Sequence, residues 1–288
     1  MDISPEVTGV KRFAKRFSEV IYTDPFARYL GYDISTDTQH PKDNPMRLLA
    51  LAILLVPAFA FADEPKPKKP KYETKENHDP DGIGKFYVGR EIAQVMGHRA
   101  AGWLERPERE KEEAPAKLLK ALDVKEGQII ADVGAGSGYH AFRMSPLVGE
   151  KGKILAVDIQ QEMLDLMKAK AKKAKLTNVE TILGTETDPK LPVGEVDLII
   201  LVDVYHEFSH PYEMAEKMVA ALKPGGRIAF VEFRLEDETV PIKLVHKMTE
   251  RQVILEMAEF TDVEHDKTIK TLPWQHIILF KKKAPKKD

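Results

Sequence analysis

From Pro115 to Lys282 the chain alternates between short apolar runs bounded by turn residues and longer segments with helical spacing of their apolar side chains. Strands that alternate with helices pair in parallel, because each helix returns the chain to the same edge of the sheet. The strands read as Gln128–Val133, Lys153–Asp158, Val179–Leu183, Val196–Val202 and Gly226–Phe233. The helices read as Ala114–Leu122, Tyr139–Leu147, Gln161–Lys173, Pro211–Leu222 and Thr249–Ala258, and a closing antiparallel pair covers Thr261–Lys270 and Gln275–Lys282. Such strands are apolar on both faces, so helices must cover each side of the sheet.

The amino-terminal third is organised differently. Met46-Arg47 precedes an apolar run that ends in Ala60-Phe61-Ala62, the pattern of a secretory signal peptide over residues 46–62. The run falls short of the roughly 20 apolar residues of a transmembrane helix, so no stable membrane span is expected after cleavage. Translation is expected to start at Met46, which leaves residues 1–45 as an untranslated or disordered leader. The mature protein is expected to begin at Asp63 and to be exported, to the periplasm; without processing it would stay cytoplasmic. Residues 63–82 read as a flexible Pro/Lys-rich linker. Gly82 to Glu113 reads as one or two helices, a cap over residues 83–113 ahead of a domain at 114–283. Residues 284–288 form a basic tail.

Composition mainly excludes. None of the 288 residues is cysteine, which removes disulfides, thiolate nucleophiles and cysteine-ligated zinc. A net charge of −2 at pH 7 gives no general attraction to nucleic acid, and none is expected as a partner.

The chemistry is concentrated in Asp132-Val133-Gly134-Ala135-Gly136-Ser137-Gly138-Tyr139, an apolar strand running into a glycine-rich turn that opens a helix. The dinucleotide pattern G-x-G-x-x-G would need glycine where Tyr139 stands. Asp158 closes the next strand about 20 residues on, where a carboxylate can accept both ribose hydroxyls of an adenosine; as an alternative it caps the following helix.

The spacing D-x-G-x-G-x-G resembles motif I of the class I S-adenosylmethionine-dependent methyltransferases. Val196-Asp197-Leu198-Ile199-Ile200-Leu201-Val202-Asp203 and Leu222-Lys223-Pro224-Gly225-Gly226-Arg227 resemble that family's fourth strand and the turn into its fifth. The resemblance implies an α/β fold. It is a Rossmann-like seven-stranded sheet, mostly parallel with the last strand antiparallel, helices on both faces and an N-terminal helical cap. It implies S-adenosyl-L-methionine as cofactor, held by Asp132, Gly134, Gly136, Gly138, Tyr139, Asp158 and Asp203, with Ile159 against the adenine. The family's usual acid after the third strand is missing, so the adenine amine falls to Glu186, Asp188 or backbone. Segments Gly89–Ala93, Met96–His98 and Trp103–Glu110 look like the pre-domain of an exported bacterial subgroup.

The acceptor is a small molecule or another group that the residues do not name. His206 has the pKa range of a base for an oxygen or nitrogen acceptor, with Glu207 or Tyr205 as substitutes, or else it is a pocket wall. Missing thiols exclude cysteine-dependent arsenite methylation. His206-Glu207-x-x-His210 also satisfies the zinc-peptidase pattern, which needs both histidines on one helix face. Pro211 starts a helix only after His210, so no metal is assigned. A zinc hydrolase and a non-catalytic cofactor-binding module are the alternatives.

Overall fold

The computed structural model describes residues 72–284. The segments expected to be leader (1–45) and signal peptide (46–62), residues 63–71 of the expected linker and most of the basic tail lie outside the described residues.

The expected alternation produces a seven-stranded sheet. In chain order its strands are β4 (Ile129–Val133), β5 (Lys153–Asp158), β6 (Val179–Leu183), β7 (Val196–Val202), β8 (Leu222–Phe233), β9 (Val263–Ile269) and β10 (Gln275–Lys282). They lie side by side as β6-β5-β4-β7-β8-β10-β9. All neighbours pair in parallel except β10, which runs antiparallel to both β8 and β9. The order turns round between β4 and β7, and the cleft of an open α/β sheet forms outside the strand ends at such a reversal.

Side-chain alternation sets what each face buries. Along β7, Ile199 and Leu201 enter one core cluster, whereas Leu198 and Ile200 enter the other. The first core is closed by α6 (Pro211–Ala221) and α7 (Glu250–Met257), through Met214, Met218, Val253 and Met257. The second is closed by α3 (Pro115–Leu122), α4 (Tyr139–Val148) and α5 (Gln161–Ala174), through Leu118, Met144, Leu164 and Met167. Helix α7 begins as its sequence suggests: the Thr249 hydroxyl accepts the amide hydrogen of Gln252 at 3.0 Å.

The region ahead of the sheet departs from expectation. Residues 82–93, read as helix, form strands β2 (Gly82–Tyr87) and β3 (Arg90–Ala93), with β1 (Tyr72–Thr74) added inside the expected linker. The reason is local. Val88 and Gly89 both take positive φ, at 48° and 85°. They form a two-residue hairpin turn that pairs Tyr87 with Arg90 and Phe86 with Glu91. The Glu91 carboxylate then accepts the amides of Asp79 and Gly84 at 3.0 and 3.1 Å. Tyr72 is tied down by donating to Glu213 on α6 at 2.5 Å. Only α1 (Ala101–Leu104) and α2 (Arg109–Glu112) remain of the expected helices.

Candidate active site

A cleft of about 550 Å³ opens over the carboxyl ends of β4, β5, β7 and β8, within the range of small-molecule sites. One wall is the turn from β4 into α4. Gly134 and Ala135 both donate to the Val157 carbonyl at 2.9 Å, folding the turn back onto β5. Asp158 completes it, accepting from Gly136 N and Gln160 N at 2.9 Å each. Gly134 and Gly136 have φ of +76° and +54°, and a Cβ on Gly134 would press into the Val204 side chain. Only glycine occupies such a position without strain. Gly134, Gly136, Asp158, Ile159, Glu186 and Asp203 all line the cleft.

Five of the expected site residues do not line it. Asp132 is buried beneath the turn, where desolvation pushes its carboxyl up to about 7. Gly138 stands at the start of α4 behind the cleft wall, and Tyr139 is held between two guanidiniums, Arg143 at 3.5 Å and Arg109 at 4.3 Å. Tyr205 is a core residue: its ring meets Phe230 edge-on at 4.8 Å, and burial, then Glu256, keep its hydroxyl protonated. Asp188 is engaged with Lys190 instead of the cleft.

The opposite wall is built where β7 and β8 end. Glu232 interrupts the apolar run of β8, is fully buried, and takes the Tyr205 amide at 3.0 Å and the His206 Nδ1 at 2.6 Å. A carboxylate only accepts, so His206 carries its hydrogen on Nδ1 and turns Nε2 toward His246 Nδ1, 3.2 Å away. Burial opposes protonation of His206, but Glu232 outweighs it and raises the imidazole above its ordinary range. Burial pushes Glu207 up to about 7. His246 is lowered by burial and by His206. Glu232, His246 and Arg109 are the residues that sequence reasoning missed. The acid within β8 was visible as a break in an apolar strand; nothing marked His246.

Asp203 stands between the walls. It has φ +51°, its Oδ2 accepts from Gln275 at 2.6 Å, and its Oδ1 has no partner among the described residues. Burial and the carboxylates of Glu113 and Glu232 hold it well above the usual carboxylate range. The expected cap does cover the cleft. Met96, Trp103 and Leu104 line it, Gln160 joins Met96 O and His98 N at 2.9 and 2.8 Å, and Glu105 bridges Ser137 and Lys170 at 2.5 and 2.7 Å.

The H-E-x-x-H pattern does not form a site. His206 and Glu207 lie in a 3₁₀ turn, Tyr205–Glu207, and α6 starts at Pro211. His210 faces Tyr72, with ring centroids 6.0 Å apart, and pairs with Glu186 at 3.6 Å.

The methyltransferase domain family matches residues 124–282, more than half of the chain. The chain belongs to the class I S-adenosylmethionine-dependent methyltransferases. A SAM-dependent methyltransferase from Aquifex aeolicus is similar at 27% identity and a TM-score of 0.61, over 65% of this chain and 99% of that one. A protein-L-isoaspartate O-methyltransferase of Methanococcus aeolicus is 30% identical over 113 residues, 39% of this chain and 50% of that protein. A demethylmenaquinone methyltransferase of Lactococcus lactis is 28% identical over 127 residues, 44% of this chain and 50% of that protein. The chain spans about half the length of these curated relatives. S-adenosylmethionine fits this methyltransferase domain: a Cβ on Gly134 or Gly136 would run into the cleft-lining side chains Val204 and Leu104, so the turn presents bare backbone there, and Asp203 Oδ1 is an unpartnered acceptor in the same cleft among the described residues.

Proposed function

We propose that the protein methylates an ionisable hydroxyl on a small, largely apolar acceptor. The observation that carries this is the placement of a buried Glu232–His206 pair across one cleft from the glycine turn. Bound S-adenosylmethionine would supply a methyl group made electrophilic by its sulfonium. The chain's own part begins at Gly134 and Gly136, which admit the amino-acid end, with Asp203 Oδ1 to receive its ammonium. Asp158 retains lone pairs for the ribose hydroxyls after its two backbone bonds. Ile159 forms a wall for the adenine, and Glu186 reaches its amine from the rim.

On the acceptor side, Trp103, Phe208, Phe233 and Ile242 give the cleft an apolar, partly aromatic lining that suits a ring. His206 Nε2 is the base: Glu232 orients the ring and stabilises the imidazolium formed on taking the proton. Alignment then does most of the remaining work, since orientation contributes roughly 7–11 kcal/mol to such steps.

Calorimetry on the full-length chain tests the donor half, with S-adenosylmethionine, S-adenosylhomocysteine and NAD as titrants. The first two should bind and NAD should not; the reverse pattern would refute the reading. Transfer of labelled methyl groups to a panel of hydroxylated aromatic rings tests the acceptor half, with methylation of the ring hydroxyl as the expected product.

A further inference from the structure

Three side-chain atoms converge at the acceptor end of the cleft. His206 Nε2, His246 Nδ1 and Glu207 Oε1 are separated by 3.2, 3.9 and 4.0 Å. A point equidistant from all three lies about 2.2 Å from each, close to the roughly 2.0–2.2 Å of zinc–nitrogen and zinc–oxygen bonds. From this geometry we propose that His206, Glu207 and His246 bind one divalent transition-metal ion of the zinc type.

Further observations point the same way. The second nitrogen of His206 is already committed to the buried Glu232 at 2.6 Å. That is the carboxylate–histidine support that fixes a metal-binding imidazole and raises its basicity. Charge also matches. Glu207 and Glu232 place two carboxylates around this point, whereas Arg90, which donates to His206 O at 3.1 Å, is neutralised by Glu256 at 2.6 Å. Two imidazoles and one carboxylate with open coordination positions form a site that suits transition ions over calcium or magnesium. All three ligands line the cleft, so the open positions face the acceptor.

The consequence for chemistry builds on the methyltransferase reading. An acceptor hydroxyl that coordinates the ion loses its proton to water more readily. The oxygen–hydrogen bond breaks as the oxygen–metal bond forms, and the resulting oxyanion is the methyl acceptor. His206 then acts as a ligand, and the ion takes over the activation assigned to it as a base. The acceptors favoured are rings bearing neighbouring oxygens able to chelate.

The test is a cobalt(II) titration of the chelator-stripped, full-length chain followed by visible absorption, with zinc competition and a parallel S-adenosylhomocysteine titration. One cobalt per chain should bind and be displaced by zinc. His246→Ala and Glu207→Gln should each weaken it by more than about tenfold, and His210→Ala should leave it unchanged. His246→Asn and melting curves distinguish lost ligation from lost folding. A chain with no saturable site, or one whose affinity ignores both substitutions, overturns the proposal. Product binding without cobalt binding would leave the methyltransferase reading standing and remove the metal. Cobalt binding without product binding would do the opposite.

Discussion

The two walls of the cleft are made of different material. The donor wall, Gly134 to Gly136 with Asp158, is shaped by backbone: positive φ angles, amides turned onto Val157 O and Asp158, and no room for a side chain at Gly134. The acceptor wall is shaped by ionisable side chains held within hydrogen-bonding range, Glu232, His206, Glu207 and His246. A backbone turn itself carries no titrating group but tolerates no added atom. A side-chain site accepts conservative substitution of shape and answers to every change of charge.

That contrast can be broken most forcefully at Gly134. A valine there combines a disfavoured φ with a clash against Val204. Calorimetry should show S-adenosylhomocysteine affinity falling more than a thousandfold, above about 4 kcal/mol. Gly134→Ala should lose less, and melting curves should show both variants folded. Full affinity in the valine variant would mean that the turn yields, and the wall is not backbone-defined.

Asp132 sharpens the comparison, because it is an ionisable group on the donor side that should contribute through pH. Its folded-state value of about 7 stands above the ordinary 3.8, so the folded protein holds this proton more tightly than the unfolded chain. Its contribution favours folding at low pH and is eroded as pH rises from about 4 to 7. Asp132→Asn carries no such charge and should gain on the parent across that window, by about 4 kcal/mol at pH 8 in urea denaturation. Parallel stability curves for the two proteins would show that Asp132 is ionised and paired in the folded state.

The smallest effect is expected at Tyr205, which adjoins the acceptor wall in sequence but belongs to the core. Tyr205→Phe should cost less than about 1 kcal/mol of stability and leave S-adenosylhomocysteine affinity within about twofold. A tenfold loss of that affinity would bring the phenol back into the site.

The same division governs what was legible in the chain. Asp132, Gly134, Gly136 and Asp158 announce themselves because a tight turn between a strand and a helix is a local event, written in adjacent residues. The cluster around His206 is assembled from β7, β8 and the turn at Leu244–His246, so His246 becomes a neighbour only once β7 and β8 are paired in register. Tyr205 misleads for a related reason: its neighbours in sequence reach the cleft, but its own direction is fixed by packing on Phe230. The hairpin at 82–93 departs from the helix expected for Gly82 to Glu113 because a two-residue turn at Val88-Gly89 folds the chain back on itself. The centre of the large sheet was legible because β4, β5 and β7 are each apolar along most of their own length.

The position of β10 has a consequence for how the chain reaches this state. It sits between β8 and β9 although it follows both in the chain. During synthesis on the ribosome, β8 therefore emerges with Ile228, Phe230 and Val231 along an unpaired edge, and β9 has nothing to join. Both wait for Gln275–Lys282 before any ladder can form between them. The acceptor wall hangs from β8, so this half of the cleft is assembled last, after the donor half has had time to order. Until then the nascent chain presents an open sheet edge of the sort that invites aggregation, and a holding chaperone would find its footing there.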